Sequence, residues 1–474
     1  MIARTFIIYF RPASIRLYIA VIALGFVLFV LGAASYLLSS SDVFSFYSPV
    51  LLFIGGLVFT NYAKSANIIT SAKRWIYALI AYTVLSYLVF LWFWYLPLIS
   101  LGDLRTVTQM PEYQDANFYD YLASVAAVTP YSEWLPIISS TWLSQGVVSY
   151  LGAIYKCFGL SQFNYLFINI LLGYISVVFI QGAIRSRLPD VSLFALFAPF
   201  ALYYNITPGK EVLTNVLTYA VLYFFYASWS RDKLASAKAI FPIAVLIILL
   251  GLVRLNAALM VVSVLMAYII VVSNNKIRIL LKLSLLFALM AILVRISGLN
   301  DLILLITDID SHVSQLDLRL QNAEAGGLKH VLATTFTSEN FFVSMILAPF
   351  RMIIWLIAPF PFLDLFSLSS NIFFGEYYVV FRSGEALARS LSSVIMVYFC
   401  YKFFYCLPLH SSMQKSKPTY FILFVIIGFS LILSTTNFVE GARYRTIIEP
   451  LVICWLLATS KANSIANNKQ DFTA

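Results

Sequence analysis

Asp115, Asn117, Tyr119 and Asp120 stand together in the stretch 114–121, Q-D-A-N-F-Y-D-Y, inside a polar loop flanked by long apolar sequence. A carboxylate so placed can accept a proton from a hydroxyl, while the amide and phenol orient the group it acts on. Three other clusters carry complementary chemistry. They are Lys210 with Glu211 after Pro208-Gly209, Arg254 with Asn256, and the run N-F-V-E-G-A-R-Y-R at 437–445, which holds Glu440, Arg443 and Arg445. Such cations suit phosphate, arginine as a planar fork and lysine as a point charge. Each group also has an ordinary structural use. Asp115 and Asp120 fit helix caps, Lys210 a helix anchor, and Arg443 and Arg445 side chains that snorkel to an interface. Asp308-Ile309-Asp310 is a D-x-D without a nucleotide-binding fold around it, His312 and His330 lack ligand-like spacing, and no P-loop or G-x-G-x-x-G occurs.

The elements that must position these groups are membrane helices. A chain with 61% hydrophobic residues, 11% charged residues and a mean hydropathy of +0.88 is not a soluble globule. Its apolar runs approach the roughly 20 residues that a spanning helix needs and lack the alternation of an outer-membrane barrel. The net charge of +10 is spread in small Lys and Arg groups between those runs, so it reads as topology and nucleic acid is not expected as a partner. Cys157, Cys400, Cys406 and Cys454 have no metal or disulfide spacing and read as small core residues. Arg4, Arg11 and Arg16 precede an apolar run too long for a signal peptide, which is expected to stay as the first anchor.

The expected fold is an all-α polytopic membrane protein of about twelve spans, a single transmembrane domain over 1–474 with both termini cytoplasmic. The spans are 17–38, 49–62, 75–97, 163–184, 192–207, 212–229, two short helices within 239–272 that turn outward near Gly251, Arg254 and Asn256, then 283–296, 387–405, 420–435 and 447–457. Two long extracytoplasmic regions result. The first, 98–162, includes 146–158 as an interfacial helix, and the second is 297–385, where Pro349, Arg351, Pro359 and Pro361 make 341–362 re-entrant or interfacial rather than a straight span. All four polar clusters then fall on the outer face.

With D-A-N-F-Y-D in the first long loop, an amphipathic segment after it, P-G-K-E at 208–211 and N-F-V-E-G-A-R-Y-R near the C-terminus, the chain resembles the GT-C superfamily of integral-membrane glycosyltransferases. More loosely it is similar to the membrane polymerases of bacterial O-antigen assembly. It departs from the GT-C pattern in carrying D-A where a D-D or D-E pair is usual, and in having two spans ahead of the one that leads into the loop.

The resemblance implies a GT-C-like fold in a bacterial inner membrane. It implies sugar transfer from a polyprenyl-phosphate-linked donor to a surface-glycan or lipid-linked acceptor on the extracytoplasmic face. Asp115 would be the general base and Asp120 a second carboxylate. Lys210, Arg443 and Arg445 would stabilise the departing phosphate, with Glu211, Arg254, Asn117 and Tyr119 completing the binding set. No metal ligands or cofactor are implied, although the acidic groups could accept a divalent metal. The competing readings are a repeat-unit polymerase acting on polyprenyl diphosphates and a lipid-linked oligosaccharide transporter.

The topology is checked by single cysteines in a background without native ones. An impermeant thiol reagent should reach positions 115, 210 and 443 from outside, and 231 and 415 only after permeabilisation. Labelling of 115 and 231 from the same side would overturn the scheme.

Overall fold

The computed structural model describes residues 15–38, 43–95, 114–134, 137, 145–184, 190–230, 236–272, 341–357, 377–406, 417–436 and 445–471. Every regular element among them is helical. In chain order they are α1 (Ile15–Leu38), α2 (Val43–Ser65), α3 (Ala72–Phe90, continued by a π turn Leu91–Tyr95), α4 (Gln114–Val128), α5 (Gln145–Phe158) and α6 (Gln162–Ile184). A 3-10 segment, Val191–Phe197, leads to the short α7 (Pro199–Asn205). Then follow α8 (Glu211–Trp229), α9 (Ala237–Val253), α10 (Leu255–Val272), α11 (Phe341–Ile357), α12 (Tyr377–Cys406), α13 (Lys417–Thr436) and α14 (Arg445–Asp471).

Six helical stretches among the described residues are long and apolar enough to cross a membrane: Val43–Ser65, Ala72–Tyr95, Gln162–Ile184, Glu211–Trp229, Leu255–Val272 and Gly384–Tyr405. The protein is an all-helical polytopic membrane protein. The expected span 283–296, the loop 297–340 and residues 358–376 lie outside the described residues.

Side-chain contacts order the ends of the bundle. At one end Asp190, just after α6, accepts hydrogen bonds from Thr70 N (3.0 Å), Thr70 Oγ1 (2.6 Å), Ser71 N (3.1 Å) and Trp75 Nε1 (2.9 Å), tying the α2–α3 turn to the exit of α6. Asp190 is in the left-handed region at φ 48°, which aspartate tolerates better than most residues. Phe179 packs on Tyr223 and Phe224, so α6 and α8 finish together, and Tyr268 of α10 meets Phe225, Trp229 and Phe421 near the same end. At the opposite end Glu211 opens α8 and faces Arg254 between α9 and α10. Thus α9 and α10 form the expected hairpin. It turns on a single extended residue, Arg254 (φ −160°, ψ 96°), and Gly251 lies close against Ala258 across the bend.

Several segments differ from the sequence reading. Residues 114–121 are not loop: they open α4, with Tyr119, Ala123 and Ala126 buried at helical spacing and Phe118, Tyr121 and Val128 exposed. Residues 192–207 return along the bundle as a 3-10 turn followed by α7 instead of one helix. Pro199 forces the preceding Ala198 out of helical geometry (φ −57°, ψ 113°), and the path is remade from Pro199 onward. Helix α2 begins at Val43, ahead of Pro49, and α14 runs on through the polar segment to Asp471. Pro349 and Arg351 sit inside one continuous helix, α11, which packs against α12 and α13.

The expected amphipathic segment is α5. Val147, Val148, Leu151, Ile154 and Tyr155 are buried, and the helix packs chiefly on α4. Gly152 permits that approach, since a Cβ there would stand 3.3 Å from Ala126 Cβ. Lys156, which looks misplaced in an apolar run, donates to the carbonyls of Ala127 (3.2 Å) and Thr129 (2.6 Å) and covers the Tyr131 ring, so it caps the C-terminal end of α4.

Asp190→Ala would leave the buried Trp75 Nε1 and the part-buried donors of Thr70 and Ser71 without their acceptor, at a cost of about 1–3 kcal/mol. Unfolding in detergent should begin at lower denaturant for Asp190→Ala and shift less for Asp190→Asn, which keeps an acceptor and tolerates the same backbone geometry. An unchanged midpoint in Asp190→Ala would refute the tie.

Candidate functional site

The polar end of the bundle is built around α7 and the turn Thr207–Lys210 that follows it. A helix this short satisfies few of its own backbone groups, and neighbouring side chains supply the rest. Glu449 of α14 accepts from Phe200 N (3.0 Å) and Ala201 N (3.1 Å) at the start of α7. Tyr204 donates to Glu385 of α12 (2.8 Å). Asn205 reaches Tyr82 (3.4 Å) and accepts from Asn215 (3.3 Å). Asn169 of α6 donates to the Thr207 carbonyl (3.1 Å) and accepts from Tyr150 of α5 (2.7 Å). Burial pushes the Tyr150 hydroxyl well above the usual phenol range, so it stays a neutral donor. Gly173 leaves room for the Tyr82–Asn205 contact, because a Cβ would lie 2.4 Å from the Tyr82 hydroxyl.

This suspended segment delivers Lys210 and Glu211. Lys210 Nζ lies 3.4 Å from the Tyr119 hydroxyl and over its ring, which joins the start of α8 to α4. The next residue of α4, Asp120, accepts a hydrogen bond from Tyr155 of α5. Glu211 is buried and forms an ion pair with Arg254 at 3.8 Å. A Cβ at position 209 would fall 2.2 Å from Glu211 Oε2, so Gly209 is what lets this carboxylate fold back beside the turn.

Of the candidates read from the sequence, the structure therefore brings together Tyr119, Asp120, Lys210, Glu211 and Arg254. Asp115 and Asn117 stand in the first turn of α4, with side chains outside the described residues, and Asn256 is exposed. Arg443 and the rest of 437–444 also lie outside. Arg445 occupies a second, deeper cluster. It is fully buried, donates to the Trp355 carbonyl and to Ser393 Oγ (3.1 Å), and lies over the Trp355 ring. Arg389 of the same cluster is paired with Glu385 one turn earlier on α12. With Glu449 nearby, the described side chains of this cluster include two cations and two carboxylates.

The sequence reading passed over Tyr155, Asn169, Asn205, Glu385, Arg389 and Glu449. The usable signal was ionisable and amide groups within apolar runs, above all Glu449 inside the last expected span. Among the described residues no group of three or more His, Cys, Asp or Glu side chains is placed to hold a metal ion.

The arrangement defines a polytopic helical membrane protein with carboxylate, ammonium and phenol groups gathered at one end. No family model, no curated protein sequence and no solved structure matches the chain.

Arg445→Ala removes a buried cation from two protein acceptors, whereas Lys210→Ala removes one half-buried at the end of the bundle. The first should lower the yield of monodisperse protein from membranes several-fold and the second should leave it near wild type. Size-exclusion chromatography checks this, and equal yields would return Arg445 to the list of free binding groups.

Proposed function

We propose that this protein is a GT-C-like glycosyltransferase that moves a sugar from a polyprenyl-phosphate-linked donor to a glycan or lipid-linked hydroxyl acceptor. In the transfer, a carboxylate of α4 takes the acceptor proton as the acceptor oxygen forms its bond to the anomeric carbon. The anomeric carbon–oxygen bond to the phosphate breaks, and its electron pair leaves on the lipid phosphate. Lys210 stands where that negative charge develops, and Arg254 adds a second positive charge at the same end. A lipid phosphate is already a good leaving group, so the reaction needs no nucleotide-binding fold.

The observation that carries the reading is the meeting of α4 with the α8 turn. Tyr119 touches Lys210 while its neighbour Asp120 is held by α5, placing an acid and a cation at the rim of a membrane bundle. Orientation follows from charge. Lys64, Lys73 and Arg74 lie at the Asp190 end, which the positive-inside rule assigns to the cytoplasm, leaving Asp120 and Lys210 outside. Arg445, held by the Trp355 carbonyl and Ser393, is left out of the phosphate grip in this reading.

Analysis of surface glycans from a strain lacking the protein tests the proposal. Loss of a side or terminal sugar with normal chain length is expected. Chains of a single repeat unit would indicate a polymerase instead, and unchanged glycans would overturn both. Restoring the gene with Lys210→Ala should leave the defect largely in place, with donor use reduced by about tenfold or more.

A further inference from the structure

The sequence offers two carboxylates on α4, and the structure describes the surroundings of Asp120. A general base is recognised by a third group that fixes it, since a side chain free to rotate loses most of its effect. Asp120 has such a group. The Tyr155 hydroxyl donates to it from α5, and the Tyr155 ring is itself buried and packed edge-on against Tyr165 of α6 at 6.3 Å. The adjacent Tyr119 is buried and reaches Lys210. One turn of α4 therefore faces two neighbours, with its carboxylate on a phenol and its own phenol on an ammonium. Asp115 sits at the second position of α4, where the helix dipole by itself gives a carboxylate a structural use.

We propose that Asp120 is the catalytic base of this site and that Tyr155 is its positioning residue, holding the carboxylate ionised and in one rotamer. The assignment of a base rests on the glycosyl-transfer reading; the Tyr155–Asp120 linkage does not. A hydrogen bond donated to a carboxylate favours its charged form, so removing the donor moves protonation to higher pH. Among the described residues, the charged and titratable groups around this turn include Lys210 beside Tyr119, Lys156, which is engaged by the Ala127 and Thr129 carbonyls, and Tyr155 itself. None of these is altered by Tyr155→Phe except the hydroxyl removed, and the ring that packs on Tyr165 is kept.

The test uses the full chain in lipid vesicles with two readouts. The first is labelling of Asp120 by dicyclohexylcarbodiimide, which reacts with the protonated carboxyl, followed by mass spectrometry across pH. In Tyr155→Phe the labelling midpoint should move up by about one pH unit. An unmoved midpoint would overturn the positioning role. The second is sugar transfer from a polyprenyl-phosphate-linked donor to an added hydroxyl acceptor, or to water in its absence. Asp120→Asn should lose about 10²-fold or more in turnover, and Asp115→Asn should lose far less. Tyr155→Phe should approach wild-type turnover at high pH while its acid limb shifts upward with the labelling midpoint. Near-normal turnover in Asp120→Asn would overturn the base assignment. A wild-type protein that transfers no sugar would overturn the glycosyl-transfer reading and the base role with it, while the labelling result would still decide the Tyr155–Asp120 linkage.

Discussion

The structure depends on how a stretch of backbone broken into two short helices survives inside a membrane bundle. Between Asp190 and Glu211 the chain crosses from one end of the bundle to the other as a 3-10 turn, a bend at Ala198 and the seven residues of α7. Hydrocarbon supplies no hydrogen bonds, so each backbone group left over must find a partner in the protein. Glu449, Asn169 and Gln181 meet part of that demand. The first two hold α7 and the turn after it, and Gln181 Oε1 accepts from Ser192 N and Oγ. Without them the segment carrying Lys210 would have no defined place.

In the bilayer, helices gain little from burying apolar surface against one another. Close packing and side-chain hydrogen bonds worth about 0.6–2 kcal/mol each do more of the work. The glycines follow this logic. Gly182 receives the Tyr223 ring between α6 and α8, and Gly384 lets α12 approach Phe93 in the π turn of α3 and Tyr203 of α7. The second of these contacts seats Glu385 beside Tyr204, so a missing side chain on one helix places a carboxylate on the next residue.

Much of the helical framework was legible in the sequence, because runs such as 163–184 and 212–229 need only length and hydropathy to be recognised, and a break near Arg254 follows from a charge amid 34 or so apolar residues. The site was legible in residue type but not in partnership. Asp115 and Asp120 look alike along the chain, yet on a helix their positions are about 140° apart around the axis, and only the packing of α5 gives Asp120 a phenol. The helix at 114–128 was hidden because its opening residues are polar and its buried stripe, among the described side chains, is Tyr119, Ala123 and Ala126. Arg445 illustrates the opposite difficulty. Its type suggested a ligand group, and nothing local revealed that Trp355 and Ser393, at sequence separations of 90 and 52 residues, would claim it.

The bond set around Asp190 also has a temporal meaning. Its four donors belong to Thr70, Ser71 and Trp75, some 115–120 residues earlier in the chain. At translation rates of about 5–20 residues per second, the turn between α2 and α3 emerges on the order of ten seconds before its acceptor is made. Through that interval the nascent hairpin keeps these donors in the aqueous or headgroup zone and cannot take its final seat. The arrival of Asp190 then acts as a latch, closing the first helices around α6 only once α6 has itself been completed.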